Sequence, residues 1–324
     1  MKLKEIKITD IENIKIGSAE DIEAATGLTV IICEKGAPTG LAVMGGGPAS
    51  RDSNLLDPLS SCQGIHAVLL SGGSAFGLDA AGGVMKYLEE RNIGYDTGIV
   101  KVPLVCQSDI YDLGLGRCDV RPDQKMAYVA CENAEKNQPK EGNFGAGTGA
   151  SVGKIAGMLE RSMKTGLGMY AVQIGNLKVG AVVALNSLGD IFDIQTGKKI
   201  AGLLNEKQDA FSDSEEEMYR IYTKEANLFV GNTAIGCIVT NAKFDKTQMN
   251  KIAKMAHNGY VRCINPVNTT ADGDSVYAMS VGDIEANIDM VGTLAARTMG
   301  MAIKRAVTTA QSAYGLKSYE EIQK

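Results

Sequence analysis

Short apolar runs alternate along the chain with longer segments in which apolar side chains recur every three or four positions. Such runs are typical of strands and such segments of helices, so the alternation indicates a mixed α/β architecture. The predicted strands cover residues 28–33, 41–44, 67–70, 168–174, 179–185, 229–239 and 276–280. The predicted helices cover residues 76–91, 125–136, 247–258 and roughly 283–310.

Two of the predicted helices have further signals. Asp245 and Gln248 have the spacing of a capping box, and Gly259 is expected to end the helix that follows. The last helix is apolar nearly all round, which predicts a central, buried helix. The acidic segment 205–227 is poor in apolar residues and is expected to form a solvated loop.

Composition narrows the class of protein. The 324 residues carry a net charge of −5 and no Trp, so we expect no nucleic-acid partner. No apolar run approaches the ~18–20 residues of a membrane span, and the first residues do not resemble a signal peptide. No internal repeat or Pro-rich linker divides the chain, and we expect a single domain over residues 1–324.

Cysteine and histidine usage excludes several kinds of site. The seven cysteines are scattered without a C-x-x-C pair, which predicts reduced thiols in a cytoplasmic protein and neither disulfides nor a metal site. Only two histidines are present, so we expect the chemistry to use another base.

Glycine is abundant, at 38 residues, and clusters in two motifs. In the first, SGGSAFG, Phe76 stands where a hydrolase elbow needs Gly, so Ser74 is not that nucleophile. The second, GNFGAGTGASVGK, fails the P-loop pattern and lacks the acidic residue of a dinucleotide site, so no cofactor is expected. It ends in Lys154, which after such a turn is a candidate to point into a cleft.

Gly231, Asn232 and Thr233 interrupt a strongly apolar run. The interruption can be a bulge or tight turn. Alternatively, the Asn232–Thr233 peptide is a self-cleavage bond. The Thr hydroxyl would take up the preceding acyl group, and hydrolysis of that ester would free an N-terminal Thr. The hydroxyl would then be a nucleophile with the α-amine as its base, a mechanism that needs no histidine.

Asp272 and Asp274 are two residues apart, so both project from one face if the segment is extended. One carboxylate could then bind a cationic amine while the other orients it. The segment lacks the terminal Glu of an EF-hand, and we expect no metal there.

Taken in order, the segments SGGSAFGLDAAGGVM, VPLVCQSDIYDLGLG, GNFGAGTGASVGK, VGAVVALNSLGD, GNTAIGCIVTNA and MAHNGYVRCINPVNTTADGD resemble the peptidase family of the L-aminopeptidase D-amidase/D-esterase. The relatives in that family include β-peptidyl aminopeptidases and the nylon-oligomer (6-aminohexanoate-oligomer) hydrolase. The resemblance covers about residues 8–310. It implies a four-layer αββα sandwich and a precursor that cuts itself into a large chain 1–232 and a small chain 233–324.

The resemblance also implies site residues. Thr233 would be the nucleophile, released by cleavage after Asn232, and Asn186 the oxyanion-hole residue. Asp274 would lie beside the nucleophile with Asp272 behind it.

Lys154 and Tyr111 match active-site residues of the nylon-oligomer hydrolase. Lys154 could lower the pKa of the amine or support the hydroxyl, and Tyr111 could bind substrate or donate to the oxyanion. The aminopeptidase branch commonly has a Ser nucleophile and Ser-x-Glu where Asp272-x-Asp274 stands, so this chain is nearer the Thr branch.

The predicted function is therefore hydrolysis of small peptides or ω-amino-acyl amides by a homo-oligomer, of which the resemblance implies a tetramer. Two alternatives remain. One is acetyl transfer of the ornithine acetyltransferase type, and the other is a family member that does not process itself and has a binding role.

Overall fold

The computed structural model describes residues 3–157, 159–222 and 231–323. Its strands are β1 Lys4–Ile6, β2 Lys15–Asp21, β3 Thr26–Ala37, β4 Thr39–Val43, β5 Ala49–Arg51, β6 Ile65–Ser71, β7 Tyr95–Asp96, β8 Lys101–Val102, β9 Val105–Asp109, β10 Ser151–Val152, β11 Met163–Lys164, β12 Leu167–Ile174, β13 Leu177–Ala184, β14 Asp190–Phe192, β15 Lys199–Ala201, β16 Ile235–Ala242, β17 Ile264–Asn265 and β18 Ser275–Ile284. Its α-helices are α1 Ala81–Glu89, α2 Gln124–Ala134, α3 Ser214–Tyr222, α4 Lys246–Cys263, α5 Ile288–Thr308 and α6 Tyr319–Ile322.

Two large sheets form the centre of the fold. The six-stranded sheet has the order β1-β12-β13-β16-β18-β4, and the five-stranded sheet has the order β2-β3-β6-β9-β5. Most neighbours are antiparallel, but β16 pairs parallel with β18 and β6 pairs parallel with β9.

Three apolar cores separate four layers. One core lies between the two sheets and contains Ile31, Val68, Val182 and Tyr277. A second lies between the five-stranded sheet and helices α1 and α2, and a third lies between the six-stranded sheet and helices α4 and α5. The layers thus follow the order α, β, β, α, and the predicted sandwich is confirmed.

Strand directions in the six-stranded sheet bring three loops together. Strand β13 is antiparallel to β16, and β16 is parallel to β18. The carboxyl end of β13 and the amino ends of β16 and β18 therefore meet at one end of the sheet, here called the Thr233 end, which contains Asn186, Thr233 and Asp274. The opposite end, where β16 leads into α4, is called the Lys246 end.

Two helix predictions need correction. Helix α5 begins at Ile288, because Asp283 and Ile284 belong to β18, and it is not central: it is in an outer layer with Met290 exposed. Helix α4 has the predicted Asp245 capping box but passes through Gly259 to Cys263. A side chain at residue 259 would meet Met299, so this Gly permits close packing of α4 on α5 and does not end the helix.

Further corrections concern residues 74–91 and 205–239. The helix predicted over residues 76–91 begins as a 3₁₀ helix, Ser74–Ala80, before α1. Part of the predicted acidic loop is helix α3. The strand predicted over residues 229–239 starts at Ile235, because Asn232 makes only an isolated bridge with Asp272, while residues 229 and 230 lie outside the described residues.

Candidate active site

The predicted site residues lie in loops at the Thr233 end. Asn186 follows β13, Thr233 precedes β16 and Asp274 directly precedes β18. All three are buried, with 0%, 4% and 1% of their surface exposed. Sheet pairing thus brings together residues that are up to 88 positions apart in the sequence.

The Asn232–Thr233 peptide is held on both sides. The Thr233 N–H donates to the Asn186 carbonyl at 2.7 Å, and the Asn232 carbonyl accepts the Gly273 N–H at 2.8 Å. The Asn232 N–H donates to the Ala271 carbonyl at 3.2 Å. The Thr233 hydroxyl itself contacts the Asn232 carbonyl oxygen. A hydroxyl, a carbonyl group and a backbone donor to the carbonyl oxygen are therefore adjacent.

The Asp pair fixes the segment on which this peptide lies. Asp274 accepts the N–H groups of Ala234 at 2.7 Å and Asn268 at 3.0 Å, and so binds the residue that follows Thr233. Asp272 accepts the Thr269 N–H and hydroxyl at 2.8 and 2.6 Å. Burial, with the Asp272 carboxylate nearby, raises the pKa of Asp274 to about 7. Burial also raises the pKa of Asp272.

Lys154 and Tyr111 reach the same centre through Asn186. The Lys154 Nζ donates to Asn186 Oδ1 at 2.5 Å, and Asn186 Nδ2 donates to the Tyr111 carbonyl at 3.0 Å. Lys154 is buried. Burial lowers the pKa of its ammonium to about 7, although the carboxylates of Asp272 and Asp112 oppose that shift.

Asp112 was not found from the sequence. Its carboxylate accepts the Thr26 hydroxyl at 2.7 Å and the Gly73 N–H at 2.8 Å, and burial raises its pKa to about 6. This carboxylate explains the first Gly-rich motif. A side chain at Gly72 would meet it, and Gly73 donates its N–H to it. The sequence feature that could have indicated Asp112 is its position next to Tyr111, a predicted site residue.

Lys164 was also missed. Its buried ammonium donates to the carbonyls of Gly147 and Ala150, both at 3.0 Å, and contacts the Thr165 carbonyl. It thereby holds the Gly-rich loop whose next residue, Ser151, donates its N–H to Asn186 Oδ1 at 3.2 Å. Nothing in the sequence around Lys164 distinguishes it from a surface lysine.

A pocket of about 200 Å³ is lined by Gly231, the residue before Asn232. Its apolar walls include Leu115 and Leu159, and its polar wall includes Asp112 and Lys154. Tyr111 lines it as well, and a side chain at residue 231 would meet the Tyr111 ring. The pocket therefore combines apolar walls with a wall of buried charged groups.

A loop from β4 supports the Asp pair from the other side. The N–H groups of Met44 and Gly47 donate to the carbonyls of Asp274 and Asp272 at 3.0 and 2.8 Å. A side chain at Gly45 would meet the backbone of Asp272 and Asp274. The triple glycine at residues 45–47 is thus a further part of the site that sequence reasoning did not use.

Residues 7–320 match the model of peptidase family S58, and the chain belongs to that family. It is 33% identical to the uncharacterized aminopeptidase ML1167 of Mycobacterium leprae, over 96% of this chain and 92% of the relative. It is 31% identical to the 6-aminohexanoate-oligomer endohydrolase of Kocuria sp., over 85% of this chain and 75% of the relative.

Solved structures show the same fold. The L-aminopeptidase D-Ala-esterase/amidase of Ochrobactrum anthropi, described as a variant of the Ntn-hydrolase fold, aligns with a TM-score of 0.71 at 16% identity, covering 94% of this chain and 86% of that one. A β-aminopeptidase of Burkholderia sp. aligns with a TM-score of 0.67 at 17% identity, covering 98% and 92%.

The family membership and the relatives identify an amide-bond hydrolase, and they do not favour the acetyltransferase alternative. In the described part of the chain, no His, Cys, Asp and Glu side chains cluster as metal ligands would. No helix among the described residues has the length and apolarity that a membrane crossing needs.

Proposed function

We propose that the chain cuts its own Asn232–Thr233 bond and then hydrolyses amides through an acyl ester on Thr233. The observation that carries this proposal is the scissile peptide, whose acyl oxygen contacts both the Thr233 hydroxyl and the Gly273 N–H. Fixing the nucleophile against its target supplies the proximity that makes an otherwise slow acyl shift possible.

Self-cleavage proceeds in two steps. The Thr233 hydroxyl adds to the Asn232 carbonyl carbon, the C–N bond breaks, and the hydroxyl proton ends on the departing nitrogen. Water then hydrolyses the ester, which leaves a carboxylate on Asn232 and a free α-amine on Thr233. The products are chains 1–232 and 233–324.

The new α-amine serves as the base in turnover. It takes the hydroxyl proton as Oγ1 attacks the substrate carbonyl and passes it to the leaving amine, and water then releases the acyl group. The Asn186 carbonyl, which accepts the Thr233 N–H, holds this nitrogen in place. Asn186 Nδ2 has a second hydrogen besides the one donated to Tyr111, and we assign it to the oxyanion.

Lys154 and Asp274 set the protonation state of the amine. Ionised Asp274 favours the protonated amine and raises its pKa, whereas the Lys154 ammonium opposes this by like-charge repulsion. Since the base must be neutral, the balance between these two groups determines the pH at which activity begins.

The substrates are small peptides or ω-amino-acyl amides. The pocket between Leu115 and Leu159 fits an apolar acyl chain, and the Kocuria relative is named for 6-aminohexanoate oligomers. We further propose a cytoplasmic homo-oligomer, a tetramer in line with the family resemblance. All seven cysteine thiols are free and five are buried, as a reducing compartment would allow.

Intact mass and a denaturing gel of freshly purified protein test the proposal, followed by aminoacyl and 6-aminohexanoyl amides as substrates. We expect two chains and a small chain that begins with Thr233. A single chain of full mass after long incubation, without amide hydrolysis, would overturn the proposal and favour the binding role.

A further inference from the structure

The segment Ala271–Gly273 pairs with residue 232 as one bridge of a parallel ladder. The Asn232 N–H donates to Ala271 and the Asn232 carbonyl accepts from Gly273, at 3.2 and 2.8 Å. Two hydrogen bonds on either side of one residue fix both the position and the rotation of its carbonyl group. The carbonyl that reacts in self-cleavage is therefore held by backbone groups of residues 271 and 273 as well as contacted by the Thr233 hydroxyl.

Self-cleavage and turnover share one geometric requirement, and this step rests on the proposed function. Both form an ester to the same oxygen, Thr233 Oγ1, which is fixed by the buried start of β16. The acyl carbon of a substrate must therefore occupy the place of the Asn232 carbonyl carbon. Its oxygen then faces the Gly273 N–H.

We infer that the backbone N–H of Gly273 is an oxyanion donor for both self-cleavage and substrate hydrolysis. As Oγ1 adds to the acyl carbon, the carbonyl oxygen acquires the negative charge, and this N–H lies within hydrogen-bond distance of it before the reaction begins. A donor already oriented toward the developing charge needs no reorganisation in the transition state.

The identity of residue 273 agrees with this role. A Cβ at this position would lie 2.7 Å from Thr233 Oγ1 and 2.9 Å from the Gly47 carbonyl oxygen. A side chain here would press on the nucleophile, so a backbone donor this close to Oγ1 requires glycine. Asp272 and Asp274, on either side, anchor the peptide unit through their own hydrogen bonds to Thr269 and Ala234.

The test replaces the Gly273 N–H by oxygen, with glycolic acid incorporated at position 273 by nonsense suppression in the full-length chain. This change removes the donor and adds no side chain. The matched control is lactic acid at position 271, because the Ala271 N–H donates to the Thr269 hydroxyl at 3.2 Å, within the same turn. Turnover is normalised to titrated Thr233 sites, and self-cleavage is followed as the fraction of folded chain that remains uncut, so unfolded protein does not enter either value.

We expect the 273 ester to slow self-cleavage by about 10²–10³-fold and to lower kcat of the cleaved form by a similar factor. KM should change less than about threefold, since a merely structural loss would misplace substrate and raise KM. A peptide aldehyde, whose adduct with Thr233 carries the oxyanion, should lose affinity by the same factor as kcat/KM. The control should retain all of these values within about threefold.

Self-cleavage and kcat of the 273 ester within about threefold of wild type would overturn the inference and leave the proposed function standing. An equal loss in the 271 control would also overturn it, because the effect would then be general to the turn. If wild-type protein itself neither cleaves after Asn232 nor hydrolyses amides, the proposed function fails first.

Discussion

Buried polar groups make different kinds of contact at the two ends of the six-stranded sheet. At the Lys246 end, the Lys246 ammonium donates to the carbonyls of Ser60 and Cys62 at 2.5 and 2.7 Å. Ser280 closes the turn after β16 by donating to the Ala242 carbonyl at 2.7 Å. These polar groups connect the start of α4 and strand β18 to neighbouring backbone carbonyls.

At the Thr233 end, polar side chains gather around one peptide bond instead. Lys154 and Asp274 both have a pKa moved to about 7, which means that their ordinary charged forms are disfavoured by burial. Groups with such shifted pKa values cluster at functional sites. The difference teaches that burial of a lysine does not by itself indicate a functional site. The indication comes from other buried titratable groups around the lysine.

The largest expected effect comes from Thr233→Ala, which removes the nucleophile. We expect no self-cleavage and no hydrolysis, a loss of about 10⁴-fold or more, while Thr233→Ser keeps part of both activities. Intact mass and amide turnover measure the two. Near wild-type turnover by the Ala variant would contradict the N-terminal-nucleophile mechanism.

The next prediction distinguishes Lys154 from Lys246, one buried lysine at each end of the sheet. Lys154→Met should lower the self-cleavage rate by about 10²-fold with little change in Tm, because its partner Asn186 Oδ1 still accepts the Ser151 N–H. Lys246→Met should lower the free energy of unfolding by about 1–3 kcal/mol, because its carbonyl partners are left unpaired. Denaturant melts and self-cleavage rates per folded molecule distinguish the two variants. A stability loss in Lys154→Met with a slowed cleavage in Lys246→Met would contradict the comparison.

Substitutions of Asp272 and Asp274 should differ in their effect on the pH dependence of activity. Removing the Asp274 charge lowers the pKa of the α-amine, so Asp274→Asn should move the acidic limb of the pH–rate profile to lower pH, by about one unit, and reduce the rate. Asp272→Asn should reduce the rate through lost orientation and leave the limb in place. Profiles of kcat/KM over pH 5–9 test this, and an unshifted limb in Asp274→Asn would contradict it.

Asp274 also affects stability, which is best measured in the uncleaved Thr233→Ala background. Its folded pKa of about 7 lies above the ordinary 3.8, so ionisation destabilises the folded state. This cost is absent well below pH 4, grows as the pH rises towards 7 and then stays constant. The Tm of Asp274→Asn relative to its parent should therefore rise over that window, and a falling difference would reverse the assignment.

The smallest effect lies at the Lys246 end. Asp245→Ala removes the side chain that accepts the Gln248 N–H at the start of α4, and we expect a loss of about 1 kcal/mol. Self-cleavage should be unchanged, since the cap is remote from Thr233. A slowed cleavage would show that the two ends are coupled.

Alternating apolar runs predicted the mixed α/β architecture because strands and helices leave local signals, whereas the four layers were implied by the family resemblance. Gly231, Asn232 and Thr233 marked the place where an apolar run is interrupted, just before β16. The sequence did not reveal Asp112 or Lys164, whose roles arise from tertiary contacts with Gly73 and Gly147. Nor could it show that Gly259 lies inside α4, since the close packing that requires this glycine comes from α5.

The order of strands determines what would follow the proposed cleavage after Asn232. Strands β16 and β18, which belong to the proposed chain 233–324, lie side by side between β13 and β4 of the proposed chain 1–232. The small chain is thus interleaved with the large one and remains bound without any covalent link. Once denatured, however, the two chains must find each other again, so refolding of the cut protein becomes a second-order reaction whose rate depends on concentration, whereas the uncut precursor folds as a single molecule.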